Sequence, residues 1–312
     1  MRHPYKDLSL QQLRGFCAIC RLGSYAGAAR QLGLSPSTVW EQMRGLERQF
    51  EVPLLETRDG AVQPTPEGRR LLELALPLLA GLESTREVLR QQRGRPPESI
   101  TIVSGMRMLM EEIGQAIPIF RRRYPDVRLR LLYVEDREIE SLVEQGKADL
   151  GLILEPGPGR PLRPTVVHEP AYDLDFVLVA PPRHPLLTRR SLRLRDIVRY
   201  PLVLGAPGTN SRRRIEEVLY QHGLLGAMRV AVETNSAALT FAYVRAGAGV
   251  GITAGNPRGF LCRGLGVRPL GRWFGAARYV FVWTRGAHVP PAQRELAELI
   301  RLNAGRPIRP GR

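Results

Sequence analysis

Apolar positions recur every three or four residues through the first fifty residues, as Leu10, Leu13, Phe16, Cys17 and Cys20 and again as Val39, Met43, Leu46 and Phe50. That spacing buries one face of a helix. It predicts a first helix over 9–22 ended by Gly23, and a second opened by Ser24, whose small Ala28 and Ala29 allow close packing against a crossing helix. A third helix follows. Gly33 can end the second in a left-handed turn, Ser35 can cap the third, and Pro36 falls at its first position, where a missing N–H costs nothing. The free face of this third helix carries Ser37, Thr38, Glu41, Gln42, Arg44 and Arg48. Small hydroxyls, an amide and arginines on a short capped helix suit the major groove of DNA. Residues 52–57 and 61–64, on either side of Arg58-Asp59-Gly60, read as two short strands forming a wing. Alone, the third helix reads equally well as a capped surface helix; the helix before it and the wing after it favour DNA.

Thr65-Pro66-Glu67-Gly68 repeats the start signal, with a cap residue, a proline at the first position and an acid in the first turn. A long helix to about residue 92 follows, carrying Leu71, Leu72, Leu74, Leu76, Leu78, Leu79, Leu82, Val88 and Leu89. A lone surface helix cannot hide that much leucine, and a second copy of the helix is the simplest partner. Pro77 predicts a kink. Residues 93–97 read as a hinge. Beyond them strands and helices alternate. Strands are expected at 100–104, 127–133, 149–154, 174–180 and 201–204. Helices are expected between the first two strands and near 136–146, 210–222, 236–246 and 291–303. The expected class is α/β with a mostly parallel sheet. The predicted organisation is a DNA-binding domain over 1–64, a dimerising helix over 65–92 and a two-lobed domain over 93–312. Its first lobe takes 98–164 and 270–303, its second 165–269, and the Pro-rich stretch 156–164 makes the first crossover.

Composition narrows the function classes. With 43% hydrophobic residues the 312-residue chain can build real cores. No apolar run reaches the ~18 residues a membrane helix needs, and residues 1–7 lack the apolar core of a secretion signal. Three cysteines, Cys17, Cys20 and Cys262, suit a reducing compartment, so a cytoplasmic protein is expected. The net charge of +16 suggests a polyanionic partner. Residues 1–92 hold only +2 of it, from 12 Lys/Arg against 10 Asp/Glu, and residues 93–312 hold +14. The excess therefore reads as a compositional habit, as DNA wrapping, or as a pull on an anionic ligand.

In two-lobed α/β domains ligands sit at strand ends and helix N-termini, where free N–H groups favour an anion. Three places qualify: Ser104-Gly105-Met106-Arg107, the loop 205–211 ending in Thr209-Asn210-Ser211, and Thr234-Asn235-Ser236. Other motifs read more plainly. Gly247-x-Gly249-x-Gly251 follows a helix and precedes a strand, the reverse of a phosphate-binding loop, so tight packing is expected. Cys17-x-x-Cys20 lacks a second ligand pair and lies on an apolar face. Arg212-Arg213-Arg214 reads as an anion holder or a solvated face. The five histidines, His3, His168, His184, His222 and His288, have no acid or nucleophile at motif spacing. No metal, no cofactor and no catalytic set is expected.

Taken together these residues resemble the LysR-type transcriptional regulators over nearly the whole chain. The resemblance rests on Leu10-x-x-Leu13-x-x-Phe16, on Gly23-Ser24-Tyr25-x-x-Ala28-Ala29-x-x-Leu32, on Leu46-Glu47 and on Thr65-Pro66-Glu67-Gly68. Phe120 to Val127, Gly146 to Gly151, His184-Pro185-Leu186, Glu233 to Ser236 and Val244 to Gly251 then fall in family order. It implies an N-terminal winged helix-turn-helix, a dimerising linker helix, and an effector domain similar in fold to periplasmic solute-binding proteins. It further implies a homotetramer on promoter DNA that responds to a small molecule. The DNA-facing set is then Ser35, Pro36, Ser37, Thr38, Trp40, Glu41, Gln42, Arg44 and Arg58. The effector set is Ser104, Gly105, Met106, Arg107, Thr209, Asn210, Ser211 and Asn235, with Ser104 and Thr209 donating hydrogen bonds to a carboxylate or similar oxyanion; the plainer alternative is that both are helix caps. The chain departs from the family pattern in several places. Proline stands at Pro36, where the family has it one residue later. The wing starts Leu54-Leu55-Glu56-Thr57, with Arg58 one place late. Trp40 and Glu41 replace a small polar and a basic residue. Glu41 repels phosphate if it faces the backbone, or accepts from a cytosine amino group. Trp40 packs on a thymine methyl or sits in the core. A solute-binding protein and an enzyme built on the α/β domain are the competing classes.

Overall fold

A computed structural model describes residues 8–92, 96–157, 163 and 165–304. The chain divides into two units. The first holds the described residues through Gln92 together with Thr284–His288, and the second holds those from Pro96 to Trp283 and from Val289 onward.

Local capping chemistry sets the start and end of each helix in the first unit. Helix α1 (Leu10–Leu22) opens with a reciprocal pair: the Ser9 hydroxyl accepts the Gln12 N–H at 3.1 Å, and the Gln12 side chain accepts the Ser9 N–H at 2.9 Å. It ends at Gly23 in the left-handed region (φ 68), where a side chain is strained. Helix α2 (Tyr25–Leu32) is capped by Ser24 and ends at Gly33. Helix α3 (Pro36–Phe50) is capped by Ser35, which accepts the Thr38 N–H. Strands β1 (Leu55–Arg58) and β2 (Ala61–Pro64) pair antiparallel, with Arg58 opposite Ala61. Asp59 and Gly60 between them both have positive φ, which the two-residue turn of a right-twisting hairpin requires. Helix α4 (Pro66–Gln92) runs through Pro77 without interruption.

A chain of polar contacts holds the wing. The Glu47 carboxylate on α3 accepts the N–H groups of Leu54 (2.9 Å) and Leu55 (3.3 Å). The Thr65 hydroxyl donates to the Pro53 carbonyl at 2.8 Å and accepts the Gly68 N–H at 3.0 Å. Val62 N–H donates to the Gly23 carbonyl at 2.8 Å. Beneath these contacts Leu13, Phe16, Ile19, Ala28, Ala29, Val39, Met43, Leu46, Leu54, Ala75 and Leu79 form one core. Phe50 departs from expectation. It shares the helical phase of Val39 and Met43, yet at the last turn of α3 it overhangs the core and is 42% exposed. Leu74, Leu78, Leu82 and Leu89 of α4 are also exposed.

In the second unit β3 (Ser99–Ser104) leads into α5 (Met106–Met108), a π turn (Leu109–Ile113) and α6 (Gly114–Arg123). Then come β4 (Arg128–Tyr133), α7 (Asp136–Glu144), β5 (Leu150–Leu154), β6 (Val166–Ala180), α8 (Pro185–Thr188) and α9 (Leu194–Ile197). Next are β7 (Leu202–Gly205), α10 (Asn210–Gln221), β8 (Val230–Thr234), α11 (Ala237–Arg245) and β9 (Val250–Ala254). The unit closes with β10 (Gly266–Pro269), α12 (Gly271–Phe274), β11 (Ala276–Thr284) and α13 (Pro291–Asn303). The sheet order is β4-β3-β5-β11-β6-β9-β7-β8, with β10 on β6. Strand β3 runs parallel to β4 and β5, and β7 parallel to β8 and β9, as βαβ crossovers dictate. Beside these parallel pairs the sheet is mixed: β11 pairs antiparallel with β5, and β6 antiparallel with β9 and β10. Strand β6 is 15 residues long, well beyond the expected 174–180. Most of the expected hinge at 93–97 and crossover at 156–164 lie outside the described residues.

Gly251 and Gly249 sit where close packing was expected. A Cβ at Gly249 would lie 2.3 Å from the Pro201 carbonyl, and one at Gly251 would meet Val179 and Thr240 at 2.8 Å. Burial pushes the thiols of Cys17, Cys20 and Cys262 up to about 12, so they carry no thiolate at neutral pH.

Gly68 supplies a test of sign. A helical Gly→Ala change normally stabilises by about 1 kcal/mol, but a Cβ here would stand 2.0 Å from the Leu54 carbonyl. Gly68→Ala is expected to destabilise the first unit by about 1–3 kcal/mol in urea unfolding. Unchanged or increased stability would contradict the wing packing described above.

Candidate nucleic-acid interface and effector pocket

On α3 the residues Ser37, Glu41, Arg44 and Arg48 fall on one stripe, opposite the buried Val39, Met43 and Leu46. All four are exposed. At the start of the stripe the Ser35 hydroxyl shares hydrogen bonds with those of Ser37 (2.7 Å) and Thr38 (2.8 Å). Ser35 and Pro36 are exposed and Thr38 is half-buried. Trp40 is 48% exposed rather than in the core, and the Arg44 guanidinium lies 5.0 Å from the centre of its ring. Gln42 turns partly inward: its Oε1 is buried, with no hydrogen-bond partner among the described residues, toward the space left by Gly15 of α1. A groove of about 580 Å³ runs from Trp40, Glu41, Arg44 and Arg48 to Glu51, Val52 and Pro53 at the entry to the wing, with Glu47 in its wall. Arg58 is exposed beside the wing turn. Ser37, Glu41, Arg44 and Arg48 thus share one helix face and Arg58 stands on the hairpin, while Gln42 turns away from that face. The sequence reading missed Glu47, whose signal was a carboxylate at the edge of the buried face seven residues before Leu54.

The second unit encloses a cavity of about 520 Å³. Its walls come from 105–108, 133–137, 205–211, 234–237, 252–254 and Tyr279. The first turns of α7, α10 and α11 open on it; α10 and α11 turn N–H groups toward its wall, while Glu135 and Asp136 at the start of α7 bring carboxylates. Gly105, Met106, Arg107, Thr209, Asn210, Ser211 and Asn235 all line it.

Ser104 does not. It is fully buried, and its hydroxyl donates across the sheet to the Leu152 carbonyl at 2.7 Å, so its proton is already committed inside the sheet. The Thr209 hydroxyl lies in the wall but is already used: it donates to the Ala206 carbonyl at 2.9 Å and accepts the Arg212 N–H at 3.3 Å, which makes it the cap of α10. The Ser236 hydroxyl, at the cap position of α11, is buried and has no hydrogen-bond partner among the described residues.

Arg107 is 2% exposed. Its Nη1 lies 2.7 Å from Glu112 and 3.4 Å from Glu111, and its guanidinium stacks 4.8 Å from the centre of the Tyr279 ring. Burial alone would lower its pKa, but the attraction of Glu112 and then of the tyrosines and Glu111 holds it well above the ordinary value. Burial raises the Glu111 carboxyl, with Arg107 opposing. The π turn sets Glu111 and Glu112 side by side facing inward, an arrangement that helical periodicity does not predict. Arg212 is likewise neither an anion holder nor a solvated residue. It is buried, pairs with Glu216 (2.7 Å) and Glu233 (3.2 Å), and donates to the Gly205 carbonyl.

Comparison with known proteins adds the family context. The LysR substrate binding domain matches residues 93–304, and the bacterial regulatory helix-turn-helix protein family, lysR type, matches residues 10–69. The HTH-type transcriptional regulator CbbR of Xanthobacter flavus is 30% identical over 217 residues, 69% of this chain. The match spans 63% of that relative's length, just under two thirds. The transcriptional activator protein LysR of Escherichia coli is 29% identical over 260 residues, covering 80% of this chain and 78% of that protein. Among solved structures, a full-length OxyR variant from Pseudomonas aeruginosa superposes with a TM-score of 0.64 at 21% identity over 95% of both chains. Full-length CbnR complexed with its target DNA superposes with a TM-score of 0.52 at 17% identity, over 95% of this chain and 99% of that one.

The cap role of Thr209 is open to measurement. Thr209→Ala is expected to cost about 1 kcal/mol in chemical denaturation, while Thr209→Ser keeps the stability. Equal stability of all three proteins would show that the hydroxyl does not cap α10.

Proposed function

The chain belongs to the LysR family of bacterial regulatory helix-turn-helix proteins, and on that premise we propose that it is a sequence-specific DNA-binding regulator of transcription whose activity is set by a small effector in the second unit. The observation that carries the DNA reading is the exposed stripe Ser37-Glu41-Arg44-Arg48, on a helix clamped through Glu47 to a wing. In this reading α3 enters the major groove, the hydroxyls and free N–H groups at its start meet phosphates, and Arg58 on the wing reaches the adjacent backbone.

The effector occupies the cavity of the second unit. Support comes from the N-termini of α10 and α11 opening on it, neither with an acid in its first turn, and from the Ser236 hydroxyl, which has no partner among the described residues. A small carboxylate or similar anion fits that field. Asn210, Ser211 and Asn235, with the backbone at Gly105 and Met106, are its contacts. Thr209 shapes the loop, and Arg107 is the buried counter-charge of Glu111 and Glu112 rather than a free cation. Effector binding closes the cavity and shifts how subunits pack. The exposed leucines of α4 pack against a second copy, and a homotetramer is the working assembly. No described helix is long and apolar enough to cross a membrane, and a cytoplasmic regulator without catalytic activity is the proposal.

The test is footprinting of the purified protein on the DNA upstream of its own gene across a salt series. A protected region of roughly 50 base pairs or more with a hypersensitive bend is expected. Salt-labile protection without sequence preference would mean that net charge alone holds the DNA, and would overturn the reading.

A further inference from the structure

We infer that Glu41 selects a cytosine in the operator, an inference that rests on the DNA reading given above. Glu41 stands two residues after the buried Val39, roughly 200° around the helix, so its carboxylate lies in the middle of the outward stripe of α3. Ser37 lies one turn before it and Arg44 one turn after it. Among the described residues it makes no hydrogen bond and no ion pair.

That freedom is unusual beside two arginines on the same stripe. Each is engaged elsewhere. The Arg44 guanidinium lies over the Trp40 ring, 5.0 Å from its centre, and Arg48 Nε donates back to the Arg44 carbonyl at 3.2 Å. The Trp40 ring thus draws away the cation that would otherwise pair with Glu41.

A free carboxylate on a surface that docks against DNA is repelled by the phosphates unless it meets a donor. In the major groove the base edges offer two donors, the amino groups of cytosine and adenine. Guanine and thymine present acceptors there, which reject a carboxylate. Adenine sets its N7 acceptor beside its amino group, against the second carboxylate oxygen. Cytosine sets no acceptor beside its own. A carboxylate at this position therefore favours cytosine and excludes guanine and thymine, so Glu41 is a specificity-determining residue.

The experiment is selection of binding sites from a pool of random duplexes by the full-length protein and by Glu41→Ala and Glu41→Gln, with helix content of all three checked by circular dichroism. Glu41 is exposed and unpartnered, so both variants are expected to fold. The wild type should enrich sites sharing a C·G pair at one fixed position. Glu41→Ala should accept any base there, with roughly tenfold of discrimination lost and every other position unchanged. Glu41→Gln should switch that position to adenine, whose N6 and N7 a glutamine amide pairs together. If all three proteins enrich the same sites with the same discrimination, the role of Glu41 is overturned while the DNA reading stands. If the wild type enriches no sequence, the DNA reading itself fails and the inference falls with it.

Discussion

The carboxylate of Glu47 is the contact on which the first unit depends. It accepts two successive N–H groups, of Leu54 and Leu55, in the short link where the chain leaves α3 and enters the wing. A charged acceptor strengthens both bonds. The link also has an apolar side, with Leu54 buried in the core and Val52 and Leu55 packed against it. Beside that acceptor, the link and β1 are held by the partner strand, by the Thr65 hydroxyl on the Pro53 carbonyl and by the Thr65 N–H on the Leu54 carbonyl at 3.0 Å. With these contacts, the groove between α3 and the wing has fixed walls, and Trp40, Glu41 and Arg44 stand in defined positions along it. Gly68 completes the arrangement by letting the α4 backbone pass the Leu54 carbonyl.

The charge of the chain looks different once its arginines are placed. Residues 1–92, which include α3, hold only +2 of the +16. In the second unit many of the arginines are structural. Arg107 and Arg212 are buried in ion pairs, Arg189 pairs with Asp196, and Arg294 and Arg301 pair with Glu169. Arg245 donates to the Leu261 and Arg263 carbonyls, and Arg268 to those of Leu186 and Arg189. A guanidinium with five donors closes loop carbonyls that no strand reaches.

What was legible in the sequence was what local chemistry decides. Ser9, Ser24 and Ser35 cap because a hydroxyl reaches an N–H three residues on. Gly23 and Gly33 end helices because their φ is positive, and Pro36 starts one because it lacks an N–H. What was not legible depended on distant partners. Nothing near Ser104 announces that Leu152, 48 residues away, takes its hydroxyl. Glu111 and Glu112 turn inward only because of a π turn, and β11 reverses the sheet because it returns from beyond β10 to pair with β5. Phe50 kept the right helical phase and still lost its burial, because the core ends one turn before it.

Methylation interference on the DNA upstream of the gene would put the central claim, that α3 reads the major groove, to its most direct test. Guanine N7 faces the major groove and adenine N3 the minor groove. Methyl groups at guanine N7 within the bound sites should abolish binding. Interference confined to adenine N3, or none at either atom, would contradict major-groove reading by α3.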